Sequence, residues 1–144
     1  MPKAVSGLRV LVVDDDADMR MALADALIDA GYAVCTAGDG LQALEQLAKR
    51  RFDVIVTDYQ MPRMNGAELL AASRKRFPIT PVIIVSGAGP ALEQVARERG
   101  AFAFLRKPCT PQTVVDMVRL AMQLEKDRVN HPVPSDSRSS CERT

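Results

Sequence analysis

The chain has little of four things that often signal a function. Net charge is nearly absent: 19 Lys and Arg stand against 18 Asp and Glu, a formal +1. The basic footprint by which a domain attracts nucleic acid is therefore missing, and no direct contact with DNA or RNA is expected. There are three cysteines, Cys35, Cys109 and Cys141, far apart and without a CxxC pair. An odd, scattered set gives neither a disulfide framework nor a zinc site, and it fits a reducing, cytoplasmic setting. The first apolar stretch, Leu8 to Val13, is broken by Arg9. It is too short for a signal peptide and far below the about 20 residues of a membrane span. The one histidine, His131, falls where no apolar period exists, so a phosphodonor histidine on a helical bundle is not expected.

What is present is a globular composition, 144 residues with 47% hydrophobic and 26% charged side chains. That length makes one domain, able to bury roughly 68–70% of the surface of the unfolded chain. Runs rich in β-branched residues recur at Leu8 to Val13, Ala33 to Ala37, Val54 to Thr57, Val82 to Val85 and Ala101 to Leu105. Each is followed by helical spacing. Met19, Ala22, Leu23, Ala26, Leu27 and Ala30 form one apolar stripe, ended by Gly31. A second helix follows Asp39 with Leu41, Leu44 and Leu47 inward, and a third runs from about Gly66 to Phe77, stopped by Pro78. A fourth carries Leu92, Val95 and Ala96; the fifth opens on Thr110 and Pro111 and buries Val114, Val115, Val118 and Met122. Strict alternation of strand and helix implies an α/β fold, a doubly wound parallel sheet of five strands with helices on both faces. The reading places one domain over residues 1–124 and a polar, flexible tail or linker start over 125–144, rich in charge, Pro and Ser.

In open α/β sheets, ligands bind beyond the carboxyl ends of the strands. The first strand ends in Asp14 and Asp15, the third in Asp58, the fourth in Ser86 and the fifth in Lys107. The second, expected at an edge, contributes nothing comparable. Gathered carboxylates repel: two charges ~4 Å apart at an effective dielectric of about 20 interact by roughly 4 kcal/mol. Lys107 or a hard divalent cation such as Mg²⁺ could compensate. An Asp nucleophile, an ammonium, a hydroxyl and a metal are the parts of phosphoryl transfer to a carboxylate.

Four segments, VLVVDD at Val10 to Asp15, TDYQMPRMNG at Thr57 to Gly66, VSG at Val85 to Gly87 and FLRKP at Phe104 to Pro108, resemble the receiver domain of two-component response regulators. The resemblance covers about Leu8 to Leu124. It implies a flavodoxin-like sheet of order 2-1-3-4-5, with Asp58 as phosphoacceptor. It further implies Mg²⁺ held directly by Asp15, through water by Asp14, and by Asp58 and the Gln60 carbonyl. Ser86 and Lys107 would grip the phosphoryl group, and Phe104 would be the switch aromatic that follows Ser86. The phosphate would come from a histidine kinase or phosphotransfer protein in trans. A downstream protein would read the face of the fourth helix, fifth strand and fifth helix, with the chain a monomer or weak dimer. Such a switch catalyses only its own phosphorylation and dephosphorylation.

Several residues also have plainer readings. Asp14 and Asp15 could cap the first helix, although Asp16 and Asp18 stand closer to its start. Lys107 alone would pass for a surface lysine, and Ser86 beside Gly87 for a turn residue. Phe104 is a core residue by default, and lacking a hydroxyl it can switch only sterically. Gln60 either obstructs or positions the hydrolytic water. Two rival functions stay open: an aspartate-nucleophile phosphatase of the haloacid dehalogenase type, suggested by Asp14-x-Asp16, and an interaction module that is never phosphorylated. The chain could also be the receiver part of a larger regulator or hybrid kinase.

Overall fold

In the computed structural model of the chain, residues 7–87 and 89–130 are described. Five strands, β1 (Arg9–Val13), β2 (Ala33–Ala37), β3 (Val54–Asp58), β4 (Val82–Ser86) and β5 (Ala103–Arg106), alternate with five helices. The helices are α1 (Ala17–Asp29), α2 (Gly40–Lys49), α3 (Gly66–Arg76), α4 (Pro90–Glu98) and α5 (Pro111–Asn130). All strand pairs are parallel, in the order β2-β1-β3-β4-β5. This is the flavodoxin-like arrangement, and the strand order reverses between β1 and β3.

The pleat divides the apolar strand residues between two cores. Val10, Val12, Val54, Val56, Ile83 and Val85 pack with Leu23 and Leu27 of α1 and with Val114, Val115 and Val118 of α5. Leu11, Val13, Ile55, Ile84 and Phe104 pack with Leu47 of α2, Leu69 and Leu70 of α3 and Ala96 of α4. Because β1, β3 and β4 are covered on both sides, their apolar runs are continuous rather than alternating.

Four inward assignments need correction. Leu41 is 41% exposed while Ala43 is fully buried. At about 100° per residue, Leu41 lies roughly 120° around the helix from the buried Leu47, and Ala43 only about 40°. Ala22 is exposed and Ala24 takes the buried place on α1. Val95 is 37% exposed, because α4 leans on the short edge strand β5 with Ala96 buried and Leu92 half-buried against the core. On α5 the inward row Val114, Val118, Ala121 leaves Met122 half-buried at its flank.

The helix ends follow the expected chemistry. Asp16 caps α1 by accepting from the backbone N–H groups of Asp18 and Met19, and Gly31 leaves it with φ 102°. Asn65 and Glu68 form a reciprocal capping box on α3. The Thr110 hydroxyl accepts from Thr113 N–H at the start of α5. Helical backbone continues to Asn130, so the expected domain boundary at 124 falls inside α5. The remainder of the tail, with His131 and Cys141, lies outside the described residues. Among the described residues, no helix is long and apolar enough to cross a membrane.

Candidate functional site

The site grows out of the carboxyl ends of β1, β3, β4 and β5. Past Val13 the β1–β2 ladder runs one residue further, with Asp14 N–H donating to the Ala37 carbonyl at 3.1 Å. The Asp14 carboxylate then accepts from Asp16 N–H at 2.9 Å, which turns the chain into α1. Its backbone carbonyl is held by the Arg20 guanidinium at 2.7 Å. β3 carries Asp58 as its last residue, and Tyr59 N–H bonds the Val85 carbonyl at 3.1 Å, so β3 and β4 end together. Lys107 N–H donates to the Ser86 carbonyl at 2.9 Å and does the same for β4 and β5.

These ladders bring three of the expected acidic groups together: carboxylate oxygens of Asp14, Asp15 and Asp58 all lie within 4.8 Å of one another. Among the described residues this is the one such trio. Asp14 and Asp58 are buried and Asp15 is exposed. Lys107 Nζ lies 3.3 Å from Asp58 Oδ1. Ser86 is fully buried at the end of β4, next to the Val85 that is in register with Asp58. Phe104 is 5% exposed in β5 opposite Ile84, inside the core rather than on the surface. Gln60 is exposed and, with Asp15, Tyr59, Met61, Pro62 and Asn65, lines a shallow depression beside the trio.

Burial pushes the Asp14 carboxyl above its ordinary range, and the Asp58 and Asp15 charges add to that, against a lowering by the Asp16 amide and Lys107. Burial also raises Asp58; the Lys107 ammonium pulls it back, Asp15 raises it further, and the Gln60 amide lowers it slightly. Three carboxylates facing one ammonium leave an excess of negative charge at a spot lined by oxygen atoms. That donor set suits a hard divalent cation.

One group at this end of the sheet escaped the sequence reading, which expected nothing from the second strand. Asp39, two residues past β2, is 6% exposed. It accepts from Gln42 N–H at 2.9 Å, capping α2, and pairs with the Arg63 guanidinium. The Gln42 amide, and then Arg63, hold its carboxyl below the usual range. The Asp–Gly step before a helical pattern marked the cap; nothing in the sequence marked its partner 24 residues on.

The family model for the response regulator receiver domain matches residues 10–119. The chain belongs to this family. As a receiver domain it is similar to the protein-glutamate methylesterase/protein-glutamine glutaminase of Pyrococcus abyssi, 42% identical over 113 residues, which are 75% of this chain and 30% of that one. It is also similar to the DNA-binding transcriptional regulator NtrC of Escherichia coli, 39% identical over 114 residues, 78% of this chain and 24% of that one. The receiver chain thus spans less than a third of these two relatives. Chemotaxis response regulator CheY4 of Vibrio cholerae matches in structure with a TM-score of 0.75 at 36% identity, covering 81% of this chain and 99% of that one.

Proposed function

We propose that Asp58 accepts a phosphoryl group from a histidine kinase or phosphotransfer protein, and that the aspartyl phosphate alters the face of α4, β5 and α5 for a protein partner. The observation that carries this reading is a buried carboxylate, Asp58, set within 4.8 Å of two others and 3.3 Å from an ammonium. A carboxylate with only a structural task at the end of an apolar strand gains nothing from two like charges beside it.

A carboxylate oxygen of Asp58 attacks phosphorus. The new O–P bond forms as the bond from phosphorus to the donor's imidazole nitrogen breaks, and the donor leaves with that electron pair. Lys107 holds one phosphoryl oxygen as a point charge from the position where it already meets Asp58, and the Ser86 hydroxyl donates to another. Asp15 directly, Asp14 through water, and Asp58 with the Gln60 carbonyl would hold Mg²⁺, which when bound neutralises charge on the phosphoryl oxygens. Drawing Ser86 toward the phosphate opens space that Phe104 follows by packing alone.

The test is intact mass after incubation with acetyl phosphate, with and without Mg²⁺, beside an Asp58→Asn control. One Mg²⁺-dependent phosphate, lost in the control, is the expected result. Labelling of the control would overturn the acceptor assignment. No addition, together with no binding of beryllofluoride, would leave the unphosphorylated interaction module. The small share of the curated relatives that this region occupies favours a second reading, a receiver part of a larger regulator; an immunoblot of the source cell for the size of the protein tests it.

A further inference from the structure

The loop from Tyr59 to Asn65 leaves β3 directly after Asp58 and returns to α3, and it carries Gln60. Three contacts tie it down. At its end Gly66 N–H donates to the Tyr59 carbonyl at 2.8 Å, and Gly66 sits so close that a Cβ there would meet the Asp58 carbonyl oxygen at 2.8 Å. Next to last in the loop, Met64 lies over Gly40 at the start of α2, where a Cβ would approach the Met64 side chain to 2.7 Å. Between Met64 and Pro62, Arg63 reaches across to the buried Asp39 carboxylate.

Arg63 is unusual in its backbone. With φ 71° it is the one non-glycine residue with positive φ among the described residues. That left-handed conformation disfavours any residue with a Cβ. Glycine would take it freely; an arginine there needs a compensating interaction. Asp39 supplies one, because its other oxygen is already fixed on the α2 cap by Gln42 N–H, so the carboxylate is oriented before the guanidinium arrives. Gly38 N–H, bonded to the Gln42 side chain at 2.8 Å, steadies the same turn.

We infer that the Arg63–Asp39 pair is a latch that holds the 59–65 loop against α2, and that Arg63 is a positioning residue for the cation and phosphoryl chemistry at Asp58, acting through the placement of Gln60. The inference rests on the function proposed above. Neither latch residue touches the carboxylate trio; both act on the loop that lines it. Removing the pair frees the middle of the loop, while the glycine contacts at Gly40 and Gly66 keep the fold.

The experiment compares the full chain with Arg63→Gly, Arg63→Lys, Asp39→Asn and the double variant Arg63→Gly/Asp39→Asn. Each is measured for Mg²⁺ affinity by calorimetry, for the rate of acetyl phosphate labelling, and for thermal midpoint in EDTA. Arg63→Gly is expected to weaken Mg²⁺ binding and slow labelling at low Mg²⁺ by about 5- to 10-fold, at the low end of the usual span of coupling between a site and its supporting contact. Labelling recovers at saturating Mg²⁺, and the midpoint in EDTA shifts by less than about 4 °C, since glycine relieves the backbone as the pair is lost. Arg63→Lys keeps part of the affinity, and the double variant is no worse than the worse single one. Unchanged Mg²⁺ affinity in Arg63→Gly and Asp39→Asn, with a labelled wild type, overturns the latch. Effects of the two single variants that simply add also overturn it, because the residues would then act separately. A wild type that binds Mg²⁺ but takes no phosphate and binds no beryllofluoride overturns the phosphoryl reading alone, and the latch is still judged on Mg²⁺ affinity. A wild type that does neither overturns both.

Discussion

Replacing Asp58 by Asn should make the metal-free protein more stable, although the change removes an ion pair. With its oxygens within 4.8 Å of those of Asp14 and Asp15, each full charge pair repels by about 3.5 kcal/mol or more at an effective dielectric of about 20. Asp15 is exposed, so solvent screens its share, whereas Asp14 and Asp58 are both buried. Against this stands the attraction of Lys107 at 3.3 Å, about 5 kcal/mol on the same scale before screening of the partly exposed ammonium. These terms nearly cancel. What remains is the cost of burying the Asp58 carboxylate, and the upward push on its pKa says that the whole balance disfavours the charge. Asparagine keeps the shape and sheds the charge, for an expected gain of about 1–2 kcal/mol, or about 3–8 °C in midpoint. Urea unfolding in EDTA at neutral pH, followed by circular dichroism because the chain has no Trp, measures the gain. Mg²⁺ should then reverse the order of benefit: at ten times its dissociation constant it stabilises wild type by about 1.4 kcal/mol and the Asn variant by clearly less. An Asn variant less stable than wild type in EDTA, or equal Mg²⁺ stabilisation of both, would refute the reasoning.

Acid should narrow the same difference. Asp14 and Asp58 have folded-state pKa values raised above the ordinary 3.8, so between that value and the raised ones the folded protein holds protons that the unfolded chain has released. Their unfavourable contribution is therefore absent below the ordinary pKa, grows as pH rises through the window, and is complete above it. Metal-free unfolding of wild type and Asp58→Asn at a series of pH values from neutral down should show the gap closing; a gap that widens on acidification contradicts the assigned direction. Two glycine substitutions should both be destabilising. Gly66→Ala meets backbone, the Asp58 carbonyl oxygen at 2.8 Å and Tyr59 Cα at 2.9 Å, and is expected to cost about 1–3 kcal/mol and to slow labelling. Gly40→Ala meets Met64 Cβ at 2.7 Å and Cγ at 2.8 Å, atoms that move only if the 59–65 loop shifts, so it too is expected to cost about 1–3 kcal/mol; a neutral Gly40→Ala in urea melts would show that the loop is softer than its contacts imply.

Most of the architecture was legible because its signals are local and redundant. Apolar runs such as Val54 to Val56 and Ile83 to Val85 carry β-branched residues on both faces, which only a sheet covered on both sides can bury. The inward faces of the helices were less legible wherever the neighbour was small or short. Leu41 and Val95 are apolar residues at helical spacing, yet each stands on a flank that no partner covers, and Ala43 and Ala96 fill the contacts instead. Spacing gives the stripe, but only the packed neighbour decides where its centre lies.

The strand ends were readable for a related reason: in a doubly wound sheet, the last residue of each strand has an address that does not depend on the rest of the fold. Asp14, Asp58, Ser86 and Lys107 could be assigned to one end of the sheet from order alone. Asp39 and Arg63 could not, because their meeting depends on how far a seven-residue loop folds back and on a left-handed backbone at one arginine. That asymmetry follows from the physics of the site. Apart from Gln60, the groups proposed to do chemistry sit at the last residue of a strand or within two residues beyond it, where the sheet dictates their positions, whereas Arg63, which tunes them, sits on a loop whose position is set by pairwise contacts. The parts of this receiver that distinguish it from its relatives should therefore be sought first among such loop contacts, where one substitution moves a ligand without touching the core.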